Sequence, residues 1–332
     1  MIFENFITLL ILILINTFFY IMNSKIANFL NLLDLPDKSR KIHSTNVPLT
    51  GGLYLFINII VIFYLNIFLN LIPSSFLNSN LLLFTFIIFT FGIIDDKFGI
   101  NANLKLLLSI SLFGLFLFLN KNYILSSIVI SSGQKFELGR YSIPFTIFCF
   151  VIFQNAFNMY DGINLQNILY FVFLIFILFI FFGFIDFYIY LIPTIILLLY
   201  LNFRNKIFLG DSGSYILSFL ISIFLIYMFN NTQIKIASDL VFLCLCIPGY
   251  DLLRLAIFRI LDKKHPFKAD KNHIHHLLIK KIGYLKTIIY LNFICFAPIL
   301  FSIYFQKNLY AVFISLTIYI ITIIYFKNEK TY

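Results

Sequence analysis

Phe208-Leu209-Gly210-Asp211-Ser212-Gly213-Ser214 sets one carboxylate in a glycine-flanked turn between two long apolar runs, 186–202 and 213–229. Each run is close to the length a helix needs to cross a bilayer, about 17–25 residues. A carboxylate beside such runs is costly to hold at a membrane, so its presence predicts a function. Reading outward from this turn, further apolar runs cover 2–22, 52–72, 81–95, 103–119, 142–157, 168–184, 237–258, 286–304 and 309–326. With the first two they predict about 11 transmembrane helices.

Composition agrees. Hydrophobic residues make up 61% and charged residues 11% of the 332 positions, and mean hydropathy is +0.97. A soluble domain is nearer half apolar and a quarter charged, so a water-soluble fold is excluded. The predicted fold is an all-α polytopic membrane protein, a single domain over 1–332. One stretch departs from helix: Ser127 to Gly139 alternates apolar and polar residues around Gly133, which predicts a short β-hairpin on the outer face. Cys149, Cys244, Cys246 and Cys295 all lie in apolar runs and read as small buried hydrophobes. The first apolar run follows Glu4 and precedes Lys25, the reverse of a cleaved signal, so it is predicted to stay as an anchor.

The net charge is +10, but in a membrane chain the placement of cations outweighs their sum, and nucleic acid is not an expected partner. One set of alternate loops, with the tail, carries 19 of the 24 Lys and Arg. Positive loops stay cytoplasmic, which predicts an outer amino terminus and a cytoplasmic carboxyl terminus. All five histidines and ten of the fourteen acids then fall on the cytoplasmic side. A transporter would spread ionisable groups through the bilayer depth and both faces, and a scaffold would need no such groups.

Four segments carry the chemistry. In Phe91-Gly92-Ile93-Ile94-Asp95-Asp96-Lys97, adjacent carboxylates suit a hard divalent cation with phosphate oxygens, or a proton acceptor beside a metal ligand. A polar stop at a helix end is the plainer reading. Asn155, Asn158 and Asp161 continue one helix face, able to hold a nucleobase, ribose or sugar, or to glue helices together. Around Asp211, N–H groups at the start of the next helix favour anionic phosphates. The cationic stretch from Arg254 to His273-Ile274-His275-His276 reads as a loop for diphosphate recognition, with zinc as the lesser alternative. A fifth polar loop, Asp37 to Gly52, carries His43 and could meet a lipid phosphate.

In this order the segments resemble the polyprenyl-phosphate N-acetylhexosamine-1-phosphate transferases, and Lys268 to His276 resembles the GlcNAc-1-phosphate branch. The resemblance implies attack of undecaprenyl phosphate on a UDP-amino-sugar at the cytoplasmic face of a bacterial plasma membrane. UMP is released, and a lipid-linked glycan is begun. It implies Mg²⁺, with Mn²⁺ as a substitute, held by Asp211 and Asp95; Asp95, Asp96 and Asp211 are the expected catalytic residues. His43, Lys105, Asn155, Asn158, Asp161, Arg254, His273, His275 and His276 are the expected substrate contacts. Membrane lipids are expected partners, and a homodimer is an allowed assembly. One departure stands out: many members read Asp-Gly-x-Asp-Gly-Leu where this chain has Asp161-Gly162-Ile163-Asn164-Leu165-Gln166. It leaves the donor sugar open.

Overall fold

The computed structural model describes residues 2–36, 46–69, 72, 77–183, 186–231, 236–264 and 272–328. His43 lies outside them. The protein is a multi-pass, helix-rich membrane protein that divides into two compact units, residues 1–100 with 178–220 and residues 101–177 with 221–332. The first contains α1 (Ile2–Leu30), α2 (Gly51–Leu69), α3 (Ser79–Phe98) and α7 (Asp186–Phe203). The second contains α4 (Ala102–Leu119), α5 (Ser142–Tyr160), α9 (Ser238–Leu261), α10 (Ile274–Ile282), α11 (Tyr284–Phe305) and α12 (Asn308–Asn328). The division cuts through α6 (Gln166–Phe182) and α8 (Gly210–Asn230).

Among the described residues, eight helices are long and apolar enough to cross a membrane, namely α1, α2, α4, α5, α8, α9, α11 and α12; α6 and α7 are shorter apolar helices. Among the described residues, each of the eleven expected apolar runs overlaps a helix, though not each of those helices is long and apolar enough to cross a membrane. Helix α8 is buried along nearly its whole length, which matches a sequence apolar on all sides. Its Ser214, Ser218 and Ser222 repeat every fourth residue, and small residues at that spacing let backbones approach closely. By contrast α1 leaves Leu14, Phe18 and Ile21 exposed, and α4 leaves Leu107 and Phe118 exposed. Apolar side chains on such a surface suit lipid contact.

Helix ends follow local chemistry. The Asn78 side chain accepts from the Leu81 N–H at 2.9 Å to open α3, and Asn101 does the same for Leu104 at 2.9 Å to open α4. Gly99, at φ 65°, closes α3. In the second unit, strands β3 (Ser127–Val129) and β4 (Lys135–Glu137) pair antiparallel, with Ser127 opposite Glu137. In the first, β1 (Leu33–Asp34) pairs with β2 (Val47–Pro48).

One expectation changes. The stretch holding His275 and His276 belongs to a helix, α10, rather than a loop. Ile274, His275 and Leu278 form its buried face while Lys280 stays exposed. This is the one-sided pattern of a short amphipathic helix, and the polar histidines at its start hide that pattern in the sequence.

Candidate active site

In the first unit the adjacent acids at the end of α3 part company, because successive helix residues point about 100° apart. Asp95 turns inward and is 5% exposed. Its Oδ1 accepts from the Ile100 N–H at 3.0 Å and its Oδ2 accepts from the Tyr215 hydroxyl at 2.8 Å. Asp96 is half-buried and faces the start of α8. Its Oδ1 accepts from the Asp211 N–H at 2.7 Å, and its Oδ2 accepts from the Ser212 N–H at 3.1 Å and the Ser212 hydroxyl at 2.8 Å. A carboxylate from one helix thus caps the N-terminus of another, meeting donors that α8 cannot satisfy itself and the positive end of its dipole. Asp211, in the first turn of α8, is half-buried beside it.

Close packing makes this geometry, and glycines permit it. A Cβ added to Gly92 would lie 2.2 Å from Ser212 Cα, and one added to Gly52 would lie 2.4 Å from Ser212 Oγ. Gly51 and Gly52 also donate their N–H groups to the Phe208 and Leu209 carbonyls, each at 3.2 Å. The Asp211 turn is therefore gripped between the start of α2 and the end of α3. Asp96 lies one residue past the apolar run 81–95, and burial pushes its pKa up from 3.8 to about 6; the charge of Asp95 adds to this, and the hydrogen bonds from Asp211 and Ser212 oppose it.

The second unit holds the histidines. Asp251, in α9 and 3% exposed, is their hub. Its Oδ2 pairs with His273 Nδ1 at 2.9 Å, and its Oδ1 accepts from Arg254 Nη2 at 2.7 Å and from the Tyr319 hydroxyl at 2.8 Å. Arg254 further donates from Nε to the Tyr319 oxygen at 2.8 Å and from Nη2 to the Asn272 carbonyl at 2.6 Å. Removing one partner from a buried ion pair of this kind costs about 3–5 kcal/mol. His275 is 1% exposed, and neither of its ring nitrogens has a hydrogen-bond partner among the described residues. Burial, with His276 and His273 adding to it, holds its pKa well below the usual imidazole value. It is therefore neutral at pH 7, with one donor and one acceptor nitrogen. Its ring stacks on His273 at 5.4 Å between centroids and meets His276 at 4.3 Å. Its edge fills the space a side chain at residue 162 would need, 1.9 Å from the Cβ position of Gly162.

Arg254 and His273, expected to contact substrate, thus already have partners in the protein. His276 is half-buried, as are Asn155, Asn158, Asp161 and Lys105. Asn155 donates back to the Val151 carbonyl at 2.8 Å, and Asp161 is the C-cap of α5. Asp251 and Tyr319 were missed as site residues. Asp251 sits in an apolar stretch and Tyr319 in an ordinary span, 68 positions away, so no local pattern links them.

Among the described residues no three His, Cys, Asp or Glu side chains are grouped to cage a metal by themselves. That arrangement still fits Mg²⁺, which commonly takes one or two carboxylates and completes its shell with substrate phosphates and water. Asp211, beside the Asp96 carboxylate and the Ser212 hydroxyl, offers the hard oxygen donors such an ion takes.

The departure from the family pattern leaves a structural mark. Leu165 takes φ 70°, a left-handed conformation that costs a side-chain-bearing residue about 1–2 kcal/mol. The backbone keeps the shape that glycine would favour although leucine occupies the position. Leu165→Gly is expected to raise the thermal midpoint of the purified protein slightly, since strain relief of about 1 kcal/mol competes with the added flexibility of the unfolded chain. A fall of several degrees would show that the Leu165 side chain matters more than its strain.

A sequence profile of the family described as glycosyl transferase family 4 matches residues 79–229. These residues span the Asp95-Asp96, Asn155–Gly162 and Asp211 segments. The chain is 27% identical over 274 residues to a probable undecaprenyl-phosphate N-acetylglucosaminyl 1-phosphate transferase of Bacillus subtilis, covering 77% of this chain and 72% of the relative. It is 26% identical over 283 residues to the undecaprenyl-phosphate alpha-N-acetylglucosaminyl 1-phosphate transferase of Salmonella typhi, covering 82% and 76%. For the Thermotoga maritima protein of that same description, identity is 27% over 277 residues, covering 81% and 80%. With its acids and histidines in the order the resemblance required, the chain is similar to glycosyl transferase family 4 over residues 79–229 and to these transferases over most of its length.

Proposed function

We propose that the protein transfers N-acetylglucosamine 1-phosphate from a UDP-sugar to undecaprenyl phosphate at the cytoplasmic face of the membrane. An acceptor phosphate oxygen forms a bond to the sugar-linked phosphorus, the bond from that phosphorus to the UMP oxygen breaks, and UMP leaves. The product is a lipid diphospho-sugar. The observation that carries this reading is the carboxylate group at the start of α8, where Asp96 caps the helix and Asp211 stands in its first turn. The family match and the relatives' names supply the acceptor and sugar class.

Asp211 is the first choice for a Mg²⁺ ligand, because it is half-buried in the first turn of α8 whereas Asp95 is 5% exposed and turned inward onto Ile100 and Tyr215. When bound, Mg²⁺ would supply neutralisation of the donor diphosphate and of the charge that develops on the leaving UMP. Asp96 orients the acceptor phosphate and takes up its proton. Asn158 and Asp161 contact the donor, and His276 and His275 hydrogen-bond its phosphates. The cytoplasmic placement rests on the split of 19 cations against 5 between the two sets of loops.

Membranes holding the protein should release UMP when given UDP-GlcNAc, Mg²⁺ and undecaprenyl phosphate, and mass analysis should find the lipid diphospho-sugar. No UMP release with any member of a UDP-amino-sugar panel would remove the assignment.

The raised Asp96 pKa also sets a pH dependence. A carboxyl raised in the fold prefers its proton there, so its contribution to stability is full below about 3.8 and is lost as pH rises through about 6. Activity runs the opposite way, because the ionised form is the one that accepts a proton. The rate should climb through about pH 6 with unit slope. An acid limb near 4, unchanged in Asp96→Asn, would take Asp96 out of this role.

A further inference from the structure

The histidine helix carries a device that the proposed reaction leaves unexplained. Helix α10 has nine residues, shorter than the roughly 12–15 at which an isolated helix is even marginally stable. Its N-cap residue, His273, supplies no side-chain cap bond. Asp251 from α9 does that work instead. Its two oxygens lie 3.3 and 3.4 Å from the Ile274 N–H, and Oδ2 holds His273 Nδ1. Arg254 and Tyr319 fix the same carboxylate from the other side. Asp251 and Tyr319 are each 3% exposed, so none of this is ordinary surface chemistry.

Two residues along from His273, the buried His275 ring has both nitrogens without hydrogen-bond partners among the described residues. Leaving a buried polar group unsatisfied is costly, and such a group calls for an explanation in a ligand or a reaction. Among the described residues, the ring is held by the stack on His273, the contact with His276 and the face of Gly162. Because His273 is tied to Asp251, the position of the His275 ring is set from α9 and α12.

We propose that Asp251 and Tyr319 are positioning residues, which act through His273 and the first turn of α10 to hold the His275 imidazole ready for the donor nucleotide-sugar. This rests on the donor role given to His275 above. Neither residue touches substrate. Tyr319 contributes by orienting one carboxylate oxygen, and Asp251 by joining that oxygen's partners to the histidine helix.

Tyr319→Phe removes a single hydroxyl and keeps the ring, so it separates positioning from folding. Its KM for UDP-GlcNAc should rise roughly tenfold, the scale of one lost hydrogen bond to a charged group, while KM for undecaprenyl phosphate stays within twofold. Asp251→Asn should raise the donor KM further, and Asp251→Glu should recover part of the loss. A readout independent of activity is acylation of His275 by diethyl pyrocarbonate, followed by peptide mass spectrometry. His275 should be protected in the unaltered protein and react several-fold faster in Tyr319→Phe. Unchanged donor KM with unchanged His275 protection in Tyr319→Phe overturns the proposal, and so does a loss confined to kcat. If the unaltered protein releases no UMP, the transferase reading fails on its own account; His275 protection then decides the positioning claim alone.

Discussion

Asp211→Asn is expected to lower UMP release by roughly a thousandfold or more, a barrier change of about 4 kcal/mol and within what a metal-held charge supplies in phosphoryl transfer. The substitution is nearly isosteric and removes one negative charge. The Asp211 backbone N–H still donates to Asp96, at 2.7 Å in the native protein, so the cap on α8 survives. Expression, membrane insertion and thermal midpoint should therefore stay near those of the unaltered chain. The loss should appear in kcat, and more Mg²⁺ should not restore it. Near-normal turnover in Asp211→Asn would free this residue from the metal role and move attention to Asp96.

Gly162→Ala should cost about a hundredfold in kcat/KM for the donor, because a misplacement of about 1 Å in a positioning group has effects of that size. The new methyl would lie 1.9 Å from His275 Nε2 and 2.1 Å from Cε1. A separation that short is forbidden, so either the buried ring or the backbone after Asp161 must move. The acceptor KM should change little. Gly249→Ala in α9 serves as the control, since a Cβ there meets nothing within 4 Å and alanine favours a helix. Equal donor kinetics for Gly162→Ala and Gly249→Ala would show that the contact with His275 has no functional weight.

Much of the site was legible in the chain. The glycines around Asp211 announced a tight turn, and Gly52 and Gly92 then proved to be the points where neighbouring backbones press on Ser212. The carboxylates of Asp95 and Asp96 read as a pair, yet one is buried against Tyr215 and the other caps α8. Adjacency in sequence concealed that division, because a helix turns consecutive side chains in different directions. Arg254 and His273 looked like phosphate ligands on charge alone, and the structure engages both with Asp251.

The apolar runs by themselves determined that this chain lives in a bilayer and is helical there. With no water in the hydrocarbon core, a helix is the local way to satisfy every backbone polar group, and its length is written directly in the run of apolar residues. Partnership was another matter. Whether Asp251 would meet Tyr319, whether the His275 nitrogens would be buried without a hydrogen-bond partner among the described residues, and whether Ile274–Ile282 would be helix or loop depended on side chains brought together from α9, α10 and α12. Hydrogen bonds and desolvation act over a few ångströms in space, whatever the distance along the chain, so only the tertiary structure could decide them.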